Sequence, residues 1–167
     1  MEGKTHPISP SITLNNVQFY GLVALRLLIG WHILYEGLTK VLNPYWSSVG
    51  YLLDSKWIFS GWAETIVSDP TLLTISDFVN MWGLTLVGLC LMLGLFSRYA
   101  AIGGMVFILL YYLFAPPLIG LEYSRPGEGS YLTVNKNLIE ACALFVLYYF
   151  PTSHIIGLDR LIQNKSN

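Results

Sequence analysis

Charge is what this sequence has least of. Only 11% of its 167 residues are Asp, Glu, Lys or Arg, against roughly a quarter in soluble domains, and the deficit is gathered into long uncharged runs. With 9 basic and 10 acidic residues the net charge is −1, so there is no polybasic surface and nucleic acid is set aside as a partner. Cysteine is scarcer still. Cys90 and Cys142 both lie inside apolar runs, without CxxC or Cys/His spacing, so they mark neither a metal site nor a redox dithiol. There is no GxGxxG turn, phosphate loop, Ser-His-Asp set or iron–sulfur cysteine pattern. No metal or nucleotide cofactor is expected, and nothing points to a self-sufficient enzyme.

The start of the chain also lacks a feature. Residues Met1 to Asn16 carry Glu2, Lys4, His6, Pro7 and Pro10, without the basic start, short apolar core and cleavage site of a secretory signal. The first hydrophobic run is therefore expected to remain in the mature protein.

What the sequence has in abundance is apolar surface: 54% hydrophobic residues and a mean hydropathy of +0.55. A hydrocarbon core of about 30 Å needs roughly 20 helical residues. Four stretches approach that length, at about 17–42, 78–96, 99–119 and 132–150. The tight Ser97-Arg98 connector makes the second and third antiparallel neighbours. The expected fold class is all-α: an integral membrane four-helix bundle, a single domain over residues 1–167.

Four crossings put both termini on one side. Lys4, Arg98, Arg160 and Lys165 on the terminal face nearly balance Lys40, Lys56, Arg125 and Lys136 on the other. The acids Asp54, Glu64, Asp69, Asp77, Glu122 and Glu128 gather on the second face, which agrees with cytoplasmic termini. The connector from Asn43 to Asp77 mixes Trp46, Tyr51, Trp57, Phe59 and Trp62 with Gly, Ser and acids. It reads as an interfacial helix and loop, either an anchor on the bilayer or a substrate lid. Glu122 to Ser130, with Pro126, Gly127 and Gly129, is a turn-rich loop on the same face.

Charges inside a membrane cost about 2.5 to 3.5 kcal/mol at helix centres, so each must face protein or a wet cavity. The run RLLIGWHILYEGLTK holds Arg26, His32, Glu36 and Lys40. Leu22, Arg26, Gly30, Ile33, Gly37 and Lys40 lie within about 40° of one line on the helix. Glycines at that spacing admit a neighbouring backbone. Gly83, Val87, Cys90, Gly94 and Ser97 form a comparable seam on the second span, and Ala100, Gly103 and Gly104 begin one on the third.

The fourth span adds Lys136, Asn137 and Glu140. By depth, Glu36 and Glu140 match, Lys40 and Lys136 lie nearer the surface, and Arg26 sits one to two turns deeper. Glu140 is expected to pair with Arg26 or with Lys40, while Glu36 has Lys40 one turn away. This cluster either neutralises itself and fixes register or lines a pocket for an anionic or quinone-like ligand, and the two roles are compatible. His32 lies about 120° from Arg26 around the helix. A haem or metal there would ordinarily need a second strong ligand, and His6 and His154 are terminal. Tyr111, Tyr112, Tyr148 and Tyr149 are belt residues or hydrogen-bond donors to a quinone carbonyl.

Four elements in order carry a family resemblance: the R-x3-G and G-x2-K pattern of Arg26 to Lys40, GLCLMLGLFSRYAAIGG from Gly88 to Gly104, NKNLIE from Asn135 to Glu140, and GLDR from Gly157 to Arg160. Together, over nearly the whole chain, they resemble the DoxX family of four-span membrane proteins, in the DoxX/DoxD group that includes the membrane subunit of thiosulfate:quinone oxidoreductase. The resemblance implies a multi-pass protein of the bacterial inner membrane, working with partner subunits in a redox complex and delivering electrons to quinone. Relatives often carry a glutamate early in the second span, where this chain has Leu84 and Thr85, so a two-carboxylate mechanism does not carry over.

The function that follows is a membrane subunit of a quinone-linked oxidoreductase system. Its candidate catalytic residues are Glu140, Arg26, Glu36 and His32. Arg26, Lys40, Glu140 and Asn137 form the cofactor pocket, and Glu36 with His32 relays a proton. The alternative is a noncatalytic assembly or anchoring subunit of a larger complex. Either works among membrane lipids, with protein partners or further copies of itself.

Overall fold

In the computed structural model the described residues are 14–124 and 132–163. The polar start with His6, most of the turn-rich loop with Arg125 and Glu128, and Lys165 fall outside them.

The first helix, α1 (Asn16–Val41), starts where Asn15 and Gln18 cap each other reciprocally: Asn15 Oδ1 accepts from the Gln18 N–H at 2.8 Å, and Gln18 Oε1 accepts from the Asn15 N–H at 2.9 Å. This capping box satisfies amides that would otherwise be orphaned. Two short helices follow, α2 (Val49–Leu53) and α3 (Ser60–Ser68). Then come α4 (Pro70–Leu93), α5 (Ser97–Phe114), α6 (Lys136–Tyr149) and α7 (Asp159–Gln163). No strand occurs among the described residues.

The second long helix begins at Pro70, not near residue 78. Asp69 accepts from the amides of Thr71 (2.8 Å) and Leu72 (3.3 Å), and Pro70 occupies the first helical position, where its missing N–H costs nothing. Thr71, Thr74, Ser76 and Asp77 make this first stretch too polar to read as span, yet the cap starts a helix through it. At the other end, α5 stops at Phe114 because Pro116 and Pro117 cannot continue it. The last hydrophobic stretch is helical only over Lys136–Tyr149, between the Asn135 cap and Pro151. Its 14 residues rise about 21 Å, short of a hydrocarbon core of about 30 Å. Three helices, α1, α4 and α5, are long and apolar enough to cross a membrane.

Helix α1 lies along α4 and α5 along α6, with contacts between α4 and α5 and slighter ones between α1 and α6 closing the set. The α1–α4 contact is a backbone approach. A Cβ on Gly37 would run into the Thr85 backbone, and one on Gly88 into that of Leu34. The seam of Gly83 and Val87 faces α5 instead, against Phe107 and Gly103. At Gly104 of α5, Ile33 from α1, Val87 from α4 and Leu144 from α6 converge within 3.2–3.3 Å of a would-be Cβ. Such small-residue contacts are how helices associate where lipid removes the hydrophobic drive.

The α2 region is tied onto the ends of α4 and α5 away from the termini. Asp77 accepts from Ser48 N (2.7 Å) and Ser48 Oγ (2.6 Å), the Ser55 hydroxyl donates to Phe114 O at 2.8 Å, and the Phe59 and Phe114 rings stack.

Candidate functional site

The intramembrane charges do not form one cluster. Arg26 is 3% exposed, and its guanidinium donates to Thr152 Oγ1 at 2.8 Å and to the Ile156 carbonyl at 2.7 Å. Its Nε is equally buried and makes no hydrogen bond among the described residues. The expected pairing of Arg26 or Lys40 with Glu140 is therefore corrected: Glu140 faces His32, whose Nδ1 lies 2.8 Å from Glu140 Oε1.

The reason is geometric. His32 opposite Glu140, and Leu25 beside Val146 in one groove, show α1 and α6 running antiparallel. Every Cα–Cβ bond tilts toward its own helix N-terminus. Arg26 is thereby aimed at the chain-terminal face and Glu140 at the opposite one, which adds to an axial gap already larger than one to two turns: Arg26 lies about 9 Å of helix rise from His32 and about 15 Å from Glu36.

On the far side from the termini a polar stripe remains. An ionised carboxylate only accepts, and in that arrangement His32 Nδ1–H donates and Nε2 is left for another group. The His32 side chain is 36% exposed and that of Glu140 10%, so the pair opens sideways between α1 and α6. One turn on, Lys40 Nζ pairs with Glu36 Oε2 at 2.8 Å, bonds the Glu36 carbonyl at 3.0 Å and lies over the Trp46 ring. Lys136 is close enough to act electrostatically on both His32 and Glu36. Asn137 sits half-buried a turn before Glu140.

Sequence reasoning missed Asn80. Its Oδ1 accepts from the Tyr111 hydroxyl, and the Tyr111 carbonyl accepts in turn from the Tyr51 hydroxyl at 2.5 Å. The only sequence signal was an amide in an apolar run, which demands a partner.

The other half of the molecule is held by Asp159. It accepts from the amides of Phe96 (2.7 Å) and Ser97 (3.3 Å) at the start of α5. Beside it, Leu158 N donates to Leu93 O and Asp159 N to Gly94 O. Gly94 and Gly157 meet backbone to backbone, with Gly94 left-handed at φ 63°. The GLDR element is thus a strap laced to the α4–α5 turn.

Burial pushes the Asp159 carboxyl up, but the hydrogen bonds from Ser153, Phe96 and Ser97, with the nearby His154, outweigh it and hold it below its ordinary 3.8. A carboxyl lowered by folding stabilises the fold above its unfolded value, and this contribution disappears as pH falls through the folded one. Thermal unfolding in detergent between pH 7 and pH 3 is expected to show acid destabilisation, and Asp159→Asn is expected to flatten that limb while lowering stability at pH 7.

The DoxX family model matches residues 21–116 of this chain, more than half its length. The chain belongs to the DoxX family. Neither the curated proteins nor the solved structures contain a match. The DoxX segment takes in Arg26, His32, Glu36 and Lys40 on α1, and all of α4 and α5. Glu140 and the GLDR strap lie beyond it. In this DoxX protein the second-span position without a glutamate is Leu84, 1% exposed, followed by Thr85, whose hydroxyl donates to Met81 O beside Gly37.

Proposed function

We propose that this DoxX-family protein is a membrane subunit of a quinone-linked oxidoreductase system, and that the His32–Glu140 pair is the polar end of its quinone site. The supporting observation is the 2.8 Å contact between these two side chains across the α1–α6 seam, with the imidazole open to the side. In this reading α6 and the chain flanking it make a fourth crossing, so that four spans form a bundle. The α2–α3 connector lies in the headgroup layer, and both termini face the cytoplasm of a bacterial inner membrane.

The residues fit such a group. A quinone ring presents carbonyl oxygens, which need donors, and its reduced form presents hydroxyls, which need acceptors; imidazole and carboxylate together offer both. A site that opens sideways admits a ligand dissolved in the bilayer. Reduction of a quinone consumes two electrons and two protons. The electrons come from a reductase partner subunit. On this chain, both protons would pass in turn through His32 Nε2, which is reprotonated after each transfer from the water on that face beside Glu36, Lys40 and Lys136, while Glu140 holds the imidazole in place and stabilises its charged form. Arg26 has no part in this site and serves to hold the strap.

Protein purified in gentle detergent is expected to retain quinone, seen as a near-ultraviolet difference spectrum on borohydride reduction. Glu140→Gln and His32→Phe should each cut retention at least tenfold in folded protein. Quinone-free preparations from quinone-replete membranes, with no rebinding on addition, would overturn the assignment. They would favour the second reading, a noncatalytic assembly subunit. Its supporting observation is the apolar surface around the strap, where Phe96, Tyr99, Leu161 and Ile162 are all exposed; its sign would be copurification of a larger complex.

A further inference from the structure

The seam that holds His32 and Glu140 has a second feature nearer the chain termini. Between the first half of α1 and the end of α6 lies a groove of about 470 Å³, walled by Leu22, Leu25, Val146 and Phe150, with Gly21 on its floor and Gln18 at its far end. A volume of this size suits a small ligand. We propose that this groove takes the prenyl tail of the quinone whose ring sits at His32 and Glu140. The proposal rests on the reading given above.

Three observations carry it. Register is the first: the antiparallel pairing runs from His32 and Glu140 through Leu25 and Val146 to Gln18 and Phe150. From His32 the helix rises about 10 Å to Leu25, where the groove begins, and about 21 Å to Gln18, so polar pair and apolar groove follow one another along the same seam. Chemistry is the second. The walls are nearly all hydrocarbon, which asks nothing of a ligand but apolar surface, while the pair beyond them asks for hydrogen bonds.

Polarity is the third, and it separates a prenyl tail from other occupants. A phospholipid of the terminal leaflet would put its headgroup near Gln18 and drive its methyl ends against a hydrogen-bonded polar pair, which is the wrong way round. A quinone reverses that order, with the polar ring deep and the apolar chain leading back toward the surface. A helix of a second copy is about 10 Å across and would ride on the rim. The groove persists because Gly21 has no side chain, and nothing lies within 4 Å of where its Cβ would be.

The test is binding of one benzoquinone ring carrying zero, two or four isoprene units, followed by quenching of tryptophan fluorescence in the wild type, Gly21→Leu and Glu140→Gln. Trp31 adjoins His32 in sequence and supplies the signal. The wild type is expected to bind the four-unit compound at least tenfold more tightly than the tail-less ring. Gly21→Leu should erase that gain and leave tail-less binding within twofold; because partition into detergent is common to both proteins, their difference at fixed tail length reports the groove alone. Val146→Trp, which narrows the groove from α6, should repeat the result. Binding that is lost in Glu140→Gln but gains as much from the tail in Gly21→Leu as in the wild type would overturn the groove assignment and leave the quinone site standing. Failure of the wild type to bind any of the three compounds would overturn both.

Discussion

Arg26→Ala is expected to cost this protein about 3 to 5 kcal/mol, the range for breaking a buried, hydrogen-bonded charge. The guanidinium donates to Thr152 and Ile156 from a site 3% exposed, and the Asp159 charge acts on it. Removing it leaves a hydroxyl and a carbonyl unpaired and a void against Gly94. The expected result is a large drop in the thermal midpoint by far-ultraviolet circular dichroism, with new protease cleavage after Pro151. Arg26→Lys should recover only part of the loss, because an ammonium cannot present the planar fork that reaches two acceptors at once. A variant as stable as the wild type, with residues 152–160 still protected, would show that the strap holds without the arginine.

The second large effect is expected at the α1–α4 crossing. Even where neighbours can shift, overpacking costs about 1 to 3 kcal/mol. At Gly88 the obstacle is the backbone of Leu34, and at Gly37 that of Thr85, neither of which yields without moving a whole helix. Gly88→Leu and Gly37→Leu should therefore abolish folded protein in detergent, as judged by a monodisperse elution peak and a cooperative melt. Gly50→Ala is the matched control, since nothing lies within 4 Å of its would-be Cβ, and it should be silent. If the Gly88 variant melts like the wild type, the two helices do not meet as closely as described.

Much of the architecture was legible because membrane helices announce themselves through length and apolarity, which survive any uncertainty about partners. Their ends were less legible. Asp69-Pro70 is a strong local start signal, yet the polar turn it opens, Thr71 to Asp77, carries no apolar signature, so hydropathy sees the helix only once it becomes greasy. The short α6 shows the converse: apolar residues before Asn135 read as span although that residue's cap fixes the helix start beyond them.

The site was legible in its ingredients and not in its pairings. Arg26, His32, Glu36, Lys40 and Glu140 stand out as charges that must be explained. Counting Arg26 as only one to two turns deeper places it within reach of Glu140, but the stretch from Glu36 back to Arg26 rises about 15 Å, and the opposed tilt of side chains on antiparallel helices sends the two further apart. The true partner of the carboxylate, His32, lies on another face of α1 from Arg26, and helical-wheel reasoning keeps it out of the pocket until the position of α6 is known. Asp159 capping the start of α5 from far along the chain had no local signature either, since the amides it satisfies belong to another turn.

The arginine strap also has a consequence for how the chain is made. Thr152, the first acceptor of the Arg26 guanidinium, is synthesised 126 residues after it. While those intervening residues are made, α1 carries a cation whose permanent partners do not yet exist. A chain stalled before Pro151 would leave that helix dependent on water or on the insertion machinery.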